Sequence, residues 1–239
     1  MTLSADTPTT TTTLAGTVIV TGGASGLGAA VAHAVLREGG RPVVLDINSP
    51  EGELPHVEVD LADTRATEAA VSRIIDEYGD VSAVVTAAGT DVCGALDTVA
   101  GEAWDRVLRV NLLGTAAVIR AAVPQLRKVH GRVVTVASTL GLRPAGDATA
   151  YCASKHGVVG FSRALAMELA GDVGVTMVVP GGMRTHFFDG RPEQYRPGPD
   201  AELMDPAEVA NAVMTALRQP AGVELRELIV TASTEPSWP

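Results

Sequence analysis

Tyr151 and Lys155 stand four residues apart in a stretch, Ala150–Leu169, whose spacing predicts a helix, so the two side chains share a face. A phenol has an ordinary pKa of about 10 and is a poor acid or base at neutral pH. A neighbouring ammonium favours the phenolate and lowers that value. So tuned, a phenol can protonate a carbonyl oxygen as hydride arrives, or deprotonate an alcohol in the reverse direction. Taken alone, such a pair is more often a packed aromatic beside a surface amine. Ser138 closes the apolar run Gly131–Ser138. Open α/β sheets bind ligands at such strand ends, where a hydroxyl can donate to a developing alkoxide. A turn serine is the plainer reading.

A second group of residues suits a phosphate. TGGASGLG, Thr21–Gly28, lies between a β-branched run and a helical pattern. A tight turn there lets backbone N–H groups approach a pyrophosphate seated on the helix N-terminus. Gly22, Gly26 and Gly28 are the informative glycines, with Ser25 and Leu27 between them. Three residues separate Gly22 from Gly26, so the spacing is not the usual GxGxxG. Asp46 ends the next apolar run, 18 residues beyond Gly28, with Ile47 after it. A carboxylate there can accept bonds from the adenosine ribose and repels a 2′-phosphate, which favours NAD over NADP. No Lys or Arg stands in the glycine loop or just after Asp46. Asp60 and Leu61 follow a third run and are read as bordering the adenine, with a turn-forming Asp nearly as good an account.

These groups need a scaffold that brings strand ends together. Strand-like runs occur at Thr17–Thr21, Pro42–Asp46, His56–Asp60, Val81–Thr86, Gly131–Ser138, Gly174–Pro180 and Leu225–Thr231. Helical patterns alternate with them: Leu27–Glu38 with a Gly39-Gly40 stop, Thr64–Tyr78, a long one over Gly101–Lys128, and Ala150–Leu169. Asp205-Pro206-Ala207-Glu208 reads as a helix start with a capping box. Alternating strands and helices predict a single α/β domain, a doubly wound parallel sheet covered on both faces. Its expected extent is 16–239, preceded by a disordered Thr-rich tail over 1–15. The segment 183–204, rich in Pro, Gly and Arg, reads as a substrate loop. It holds Phe187, Phe188 and Tyr195, three of the chain's six Phe and Tyr residues, which suit a lid.

Composition narrows the function. Of 239 residues 46% are hydrophobic and 19% charged, enough for a large core. Eighteen basic against 28 acidic residues give a formal charge of −10, with no dense Lys/Arg cluster, which argues against a nucleic-acid partner. Two cysteines, Cys93 and Cys152, make no disulfide framework and fit a reducing, cytoplasmic setting. The five histidines show no metal-ligand spacing. No apolar run reaches the roughly 18 residues needed to cross a bilayer, so no membrane partner is expected.

Together, TGGASGLG, Asp60, Asn111, Ser138, Tyr151-Cys-Ala-Ser-Lys155, and Pro180-Gly181 with Thr185 resemble the short-chain dehydrogenase/reductase family over about Thr17–Thr231. The resemblance implies a Rossmann-type sheet of about seven strands, a small-molecule carbonyl or alcohol substrate, and a homo-oligomer, dimer or tetramer. It implies that Tyr151 is the acid/base, that Ser138 orients the substrate oxygen, and that Lys155 also binds the nicotinamide ribose. Asn111 would kink its helix and hold a water that relays protons to Lys155. Pro180, Gly181, Met183 and Thr185 would line the nicotinamide and its phosphate side, and Ala88 and Gly89 would let the cofactor pass close to backbone. One departure stands out: where the family has Asn-Asn-Ala-Gly, this chain has Thr86-Ala87-Ala88-Gly89. That puts in question the hydrogen bonding that braces the strand end.

Other side chains carry weaker expectations. Cys93 is a candidate for the pocket border, Cys152 for packing. Arg143, Arg184 and His186 lie on segments expected to surround the pocket, with solvated charges the plainer account. The leading expectation is an NAD-dependent dehydrogenase or ketone reductase. The alternatives are a non-catalytic NAD-binding regulator or scaffold of the same fold, and a lyase or dehalogenase chemistry.

Overall fold

The computed structural model describes residues 16–236 and 238, and the tail expected over 1–15 lies outside the described residues. Among the described residues seven strands form one parallel sheet: β1 (Thr17–Thr21), β2 (Arg41–Asp46), β3 (His56–Glu58), β4 (Val81–Thr86), β5 (Arg132–Val136), β6 (Gly174–Pro180) and β7 (Glu227–Val230). Their spatial order is β3-β2-β1-β4-β5-β6-β7. The order reverses beside β1, where chain connections leave toward opposite sides. That opens the crevice at the carboxyl ends of β1 and β4.

Among the described residues six α-helices cover the sheet: α1 (Gly26–Arg37), α2 (Thr64–Tyr78), α3 (Gly101–Leu108), α4 (Thr115–Lys128), α5 (Thr149–Glu168) and α6 (Pro206–Leu217). Strand periodicity divides the core between two faces. On β1, Val18 and Val20 pack with Val31 and Val35 of α1 and Val213 and Met214 of α6. Ile19, one residue out of phase, joins Val71 and Ile74 of α2 and Ile119 and Leu126 of α4 on the other face. Each such fully buried side chain is worth about 1.5–3 kcal/mol of transfer free energy. α6 begins as its sequence predicts: Asp205 accepts from the Ala207 N–H at 2.8 Å, and Glu208 accepts from the Asp205 N–H at 3.0 Å.

Three expectations need correction. The stretch 101–128 is not one regular helix, because Arg109–Gly114 forms a π-helical turn between α3 and α4. The same continuous helix holds an 18-residue window of mean hydropathy 1.4, long and apolar enough by length and composition to cross a membrane, which run-counting missed. Half of that window is buried, and Val118, Ile119, Ala122 and Leu126 face the sheet and α2. Strands β3 and β5 each stop two residues short of expectation, leaving Asp60 and Ser138 in the turns that follow.

Candidate active site

The crevice is a cavity of about 1070 Å³, at the upper end of small-molecule sites and roomy enough for a dinucleotide with a substrate. Every residue singled out above for catalysis or cofactor binding lines it except Asn111.

The glycine loop builds one end. Gly22 has φ +70°, and a Cβ there would stand 2.7 Å from the Ala88 Cα. A Cβ on Gly28 would lie 2.1 Å from the Gly22 carbonyl oxygen. Only glycine lets loop, α1 and the end of β4 close this tightly. Ser25 precedes α1 without a side-chain cap, so first-turn N–H groups are left for a ligand anion. Asp46 braces the same loop: its Oδ2 accepts from the Ala24 N–H at 3.1 Å and its Oδ1 from the Asn48 N–H at 3.0 Å. A cradle that a Cβ would fill, an uncapped helix start and a strand-end carboxylate fit a nicotinamide dinucleotide.

Asp60 is less free than expected. Its carboxylate takes bonds from Arg106 at 2.9 and 3.3 Å and from the Ala62 N–H at 2.9 Å. Burial alone would raise its pKa, but the Arg106 hydrogen bonds, the Ala62 N–H and the guanidinium charge outweigh it and hold Asp60 below the usual value.

The strand end that lacks the family's asparagines is braced otherwise. The Ala88 N–H donates to the Thr21 hydroxyl at 3.1 Å, tying β4 to β1. The Thr86 hydroxyl is buried without a hydrogen-bond partner among the described residues. Asn111 works from behind the wall. Its Oδ1 accepts from the Thr90 N–H at 2.8 Å, and its Nδ2 donates to the Thr90 carbonyl at 2.9 Å and to Ser154 at 3.0 Å. The π-helical turn carries Asn111, so its bulge delivers an amide that links the β4 exit to α5.

Tyr151 and Lys155 share a face of α5, as the spacing predicts, but their coupling differs from expectation. The Lys155 Nζ donates to the Val136 carbonyl at 2.9 Å and lies 5.6 Å from the Tyr151 ring centroid, beneath the ring. Burial pushes the phenol up to about 12, the Ser138 hydrogen bond opposes it, and Asp91 raises it further against Arg191. Burial brings Lys155 down to about 8. Between about pH 8 and the ordinary lysine range, the unfolded chain binds a proton that folded Lys155 has lost, so stability rises with pH. The wild-type melting temperature is expected to climb from pH 8 to 10 more steeply than that of Lys155→Met. Parallel slopes in pH-resolved thermal melts would show that Lys155 keeps an ordinary pKa.

The loop 183–204 walls the substrate end. Its base is pinned by a bridge between Met183 and Met204. Thr185 lies against Gly26 and accepts from the Phe187 N–H at 3.3 Å. The Phe187 ring stands 5.5 Å from that of Tyr151, and the Tyr195 hydroxyl donates to Asp147 at 3.1 Å. Arg143 and Arg184 stay out of the cavity: Arg143 packs over Trp238, and Arg184 bonds the Leu203 carbonyl. His186 pairs with Asp189 at 2.7 Å on the surface side of the cavity rim. Cys93 donates to Asp91 beside the cavity, and Cys152 is buried in packing. Sequence reasoning missed Asp91, Arg191, Arg106 and Glu235, all of which line the cavity. Asp91 was findable, because it lies two residues past Gly89 at a ligand-facing strand end. Glu235 was not: it is brought in by the last turn, where it accepts from the Gly182 N–H at 2.8 Å.

Comparison with known proteins bears on the family and the fold. A family model described as short chain dehydrogenase matches residues 16–196. The chain is 34% identical over 199 residues to short-chain dehydrogenase/reductase olcF of Penicillium canescens, covering 79% of this chain and 76% of the relative. It is 30% identical over 221 residues to 2,5-dichloro-2,5-cyclohexadiene-1,4-diol dehydrogenase LinX of Sphingobium indicum, covering 84% and 88%. Among solved structures, ligand-free aldohexose dehydrogenase of Thermoplasma acidophilum superposes with a TM-score of 0.80 at 26% identity, covering 90% of this chain and 92% of that one.

Proposed function

The chain belongs to the short-chain dehydrogenase/reductase family, and from that membership we propose that it transfers a hydride between NAD(H) and a secondary alcohol or ketone, with Tyr151 as general acid and base. The observation that carries the reading is the convergence of Tyr151, Ser138 and Lys155 on one cavity with the glycine cradle. A bound nicotinamide would supply or accept the hydride. The chain's own part is to hold the substrate oxygen and move its proton. Ser138 and Tyr151 offer two hydroxyls at one point, and the neutral phenol gives its proton to the oxygen as charge develops there. Lys155 sits under the Tyr151 ring and would hold the cofactor ribose. Asn111 fixes the Thr90 backbone and α5 around both.

NAD rather than NADP is supported by Asp46, whose carboxylate is held at the strand end by two backbone N–H groups. A 2′-phosphate there would meet that charge. Fluorescence titration with NADH and NADPH is expected to show tighter NADH. Asp46→Ala should narrow the ratio by at least about tenfold, or about 1.4 kcal/mol. An unchanged ratio would refute the ribose contact. We also place the protein in the cytoplasm as a homo-oligomer, readings supported by two free cysteines and by Leu113 and Met167, which expose 49% and 81% of their surface. A non-catalytic role is disfavoured by the intact set of Asn111, Ser138, Tyr151 and Lys155.

A further inference from the structure

A charged pair stands in the wall of the substrate end. Asp91 follows β4, and Arg191 is carried by the loop 183–204; both line the cavity. The Arg191 Nη2 donates to the Asp91 Oδ2 at 2.6 Å, with the side chains 18% and 6% exposed. Asp91 also accepts from the Val92 N–H at 2.7 Å and from the Cys93 thiol at 3.3 Å. The Arg191 guanidinium lies 5.0 Å from the Phe187 ring centroid and 4.7 Å from that of Phe188, and its Nη1 reaches the Tyr195 carbonyl at 3.4 Å. Its Nε is buried and finds no acceptor among the described residues. Phe187 in turn touches Tyr151, so the pair stands one aromatic ring from the reacting phenol.

A buried ion pair contributes little stability by itself, because desolvation offsets its attraction. What this one gives the pocket is a particular polarity. The guanidinium and carboxylate balance each other and leave one N–H donor unsatisfied beside a carboxylate that can accept again. A substrate carboxylate would meet Asp91. An alkyl group would leave Nε without a partner, at a cost. A neutral hydroxyl, which both accepts and donates, answers both groups.

We propose that Asp91 and Arg191 determine specificity by binding a second hydroxyl of the substrate, so that the protein acts on diols and the matching hydroxyketones in preference to simple secondary alcohols. The inference rests on the hydride-transfer reading above and names the substrate class for that site. Arg191 can keep Nη2 on Asp91 while turning its Nε edge toward an incoming oxygen, since Nη1 holds the Tyr195 carbonyl only at 3.4 Å and the neighbours on its faces are the Phe187 and Phe188 rings.

The test measures kcat/KM for 2-butanol against 2,3-butanediol and for cyclohexanol against cyclohexane-1,2-diol, each with NAD and with NADP. The wild type is expected to favour the diol by about 100-fold, the upper end of what leaving a buried donor or acceptor unsatisfied costs. Arg191→Gln and Asp91→Asn should each lower diol turnover far more than mono-alcohol turnover and bring the ratio toward parity. Arg191→Lys should restore part of it. Mono-alcohols oxidised as well as diols by the wild type, or a ratio that both variants leave unchanged, would overturn the inference while the hydride-transfer reading stands. Turnover of none of the four would overturn both. The wild-type ratio decides the matter even if the variants fold poorly.

Discussion

Tyr151→Phe is expected to bind NADH as tightly as the wild type while losing about 10²–10⁴-fold in kcat/KM, the range that general acid–base catalysis contributes. The substitution removes one oxygen. The ring keeps its contact with Phe187 at 5.5 Å and its place over the Lys155 Nζ at 5.6 Å, so neither the helix nor the loop loses packing. What goes is the proton and the partner of Ser138. Because burial pushes the phenol up to about 12, it is protonated across the neutral range and ready to donate. Carbonyl reduction should therefore be nearly flat between pH 7 and 9, and alcohol oxidation, which needs the phenol deprotonated first, should rise with pH. In the variant, whatever oxidation remains should lose that rise. Wild-type turnover in Tyr151→Phe, or a residual rate with the same pH slope, would remove Tyr151 from its assigned role.

The other large effect is expected at Gly28. An alanine Cβ there would meet the Gly22 carbonyl oxygen at 2.1 Å, the Gly22 carbonyl carbon at 2.5 Å and the Gly23 nitrogen at 2.9 Å. All three are backbone, so none can swing aside. Either α1 slides outward or the glycine turn is pushed toward Ala88, and both widen the cradle. Overpacking of this kind costs about 1–3 kcal/mol, which for a chain of this size lowers the melting temperature by about 2–4 °C per kcal/mol. NADH affinity should fall by about 100-fold or more, because the backbone N–H groups no longer converge on one anion. Gly160 on α5 is the control, with nothing within 4 Å of its would-be Cβ. Gly160→Ala should raise stability by about 0.5–1 kcal/mol and leave binding alone. Equal NADH affinity in Gly28→Ala and wild type, measured by titration, would show that the turn is not the anion site.

The two positions also mark what the sequence discloses and what it does not. β1 was legible because TVIVT is β-branched throughout and followed at once by glycines, and the site residues on strand ends came with it. Asp46 and Pro180 face the crevice because they end β2 and β6, and Ser138 does so from the turn two residues past β5. Strand ends were less legible: hydropathy continues through Val59 and Ala137, yet β3 and β5 have already stopped. The π-helical turn at Arg109–Gly114 has no periodicity signal of its own over six residues. The Tyr–Lys spacing correctly puts both side chains on one face. It says nothing about depth, and depth decides the outcome, since burial moves the phenol up while the ammonium turns to the Val136 carbonyl. Asp91 and Arg191, 100 positions apart, meet only through tertiary folding. Among several arginines of one irregular segment, nothing local distinguishes Arg191.

The strand order has a consequence for biosynthesis. β1 pairs with β2 on one side and with β4 on the other. As the chain leaves the ribosome, β2 arrives about 20 residues after β1, but β4 follows only after β3 and α2 have been made. Through that interval the nascent chain presents one whole edge of its most apolar strand, Val18-Ile19-Val20, unpaired and able to template another chain. Parallel pairing over such separations is slow. The central strand that later holds the glycine turn in place is therefore secured on both edges only once β4 has been made, and until then has much to gain from a chaperone.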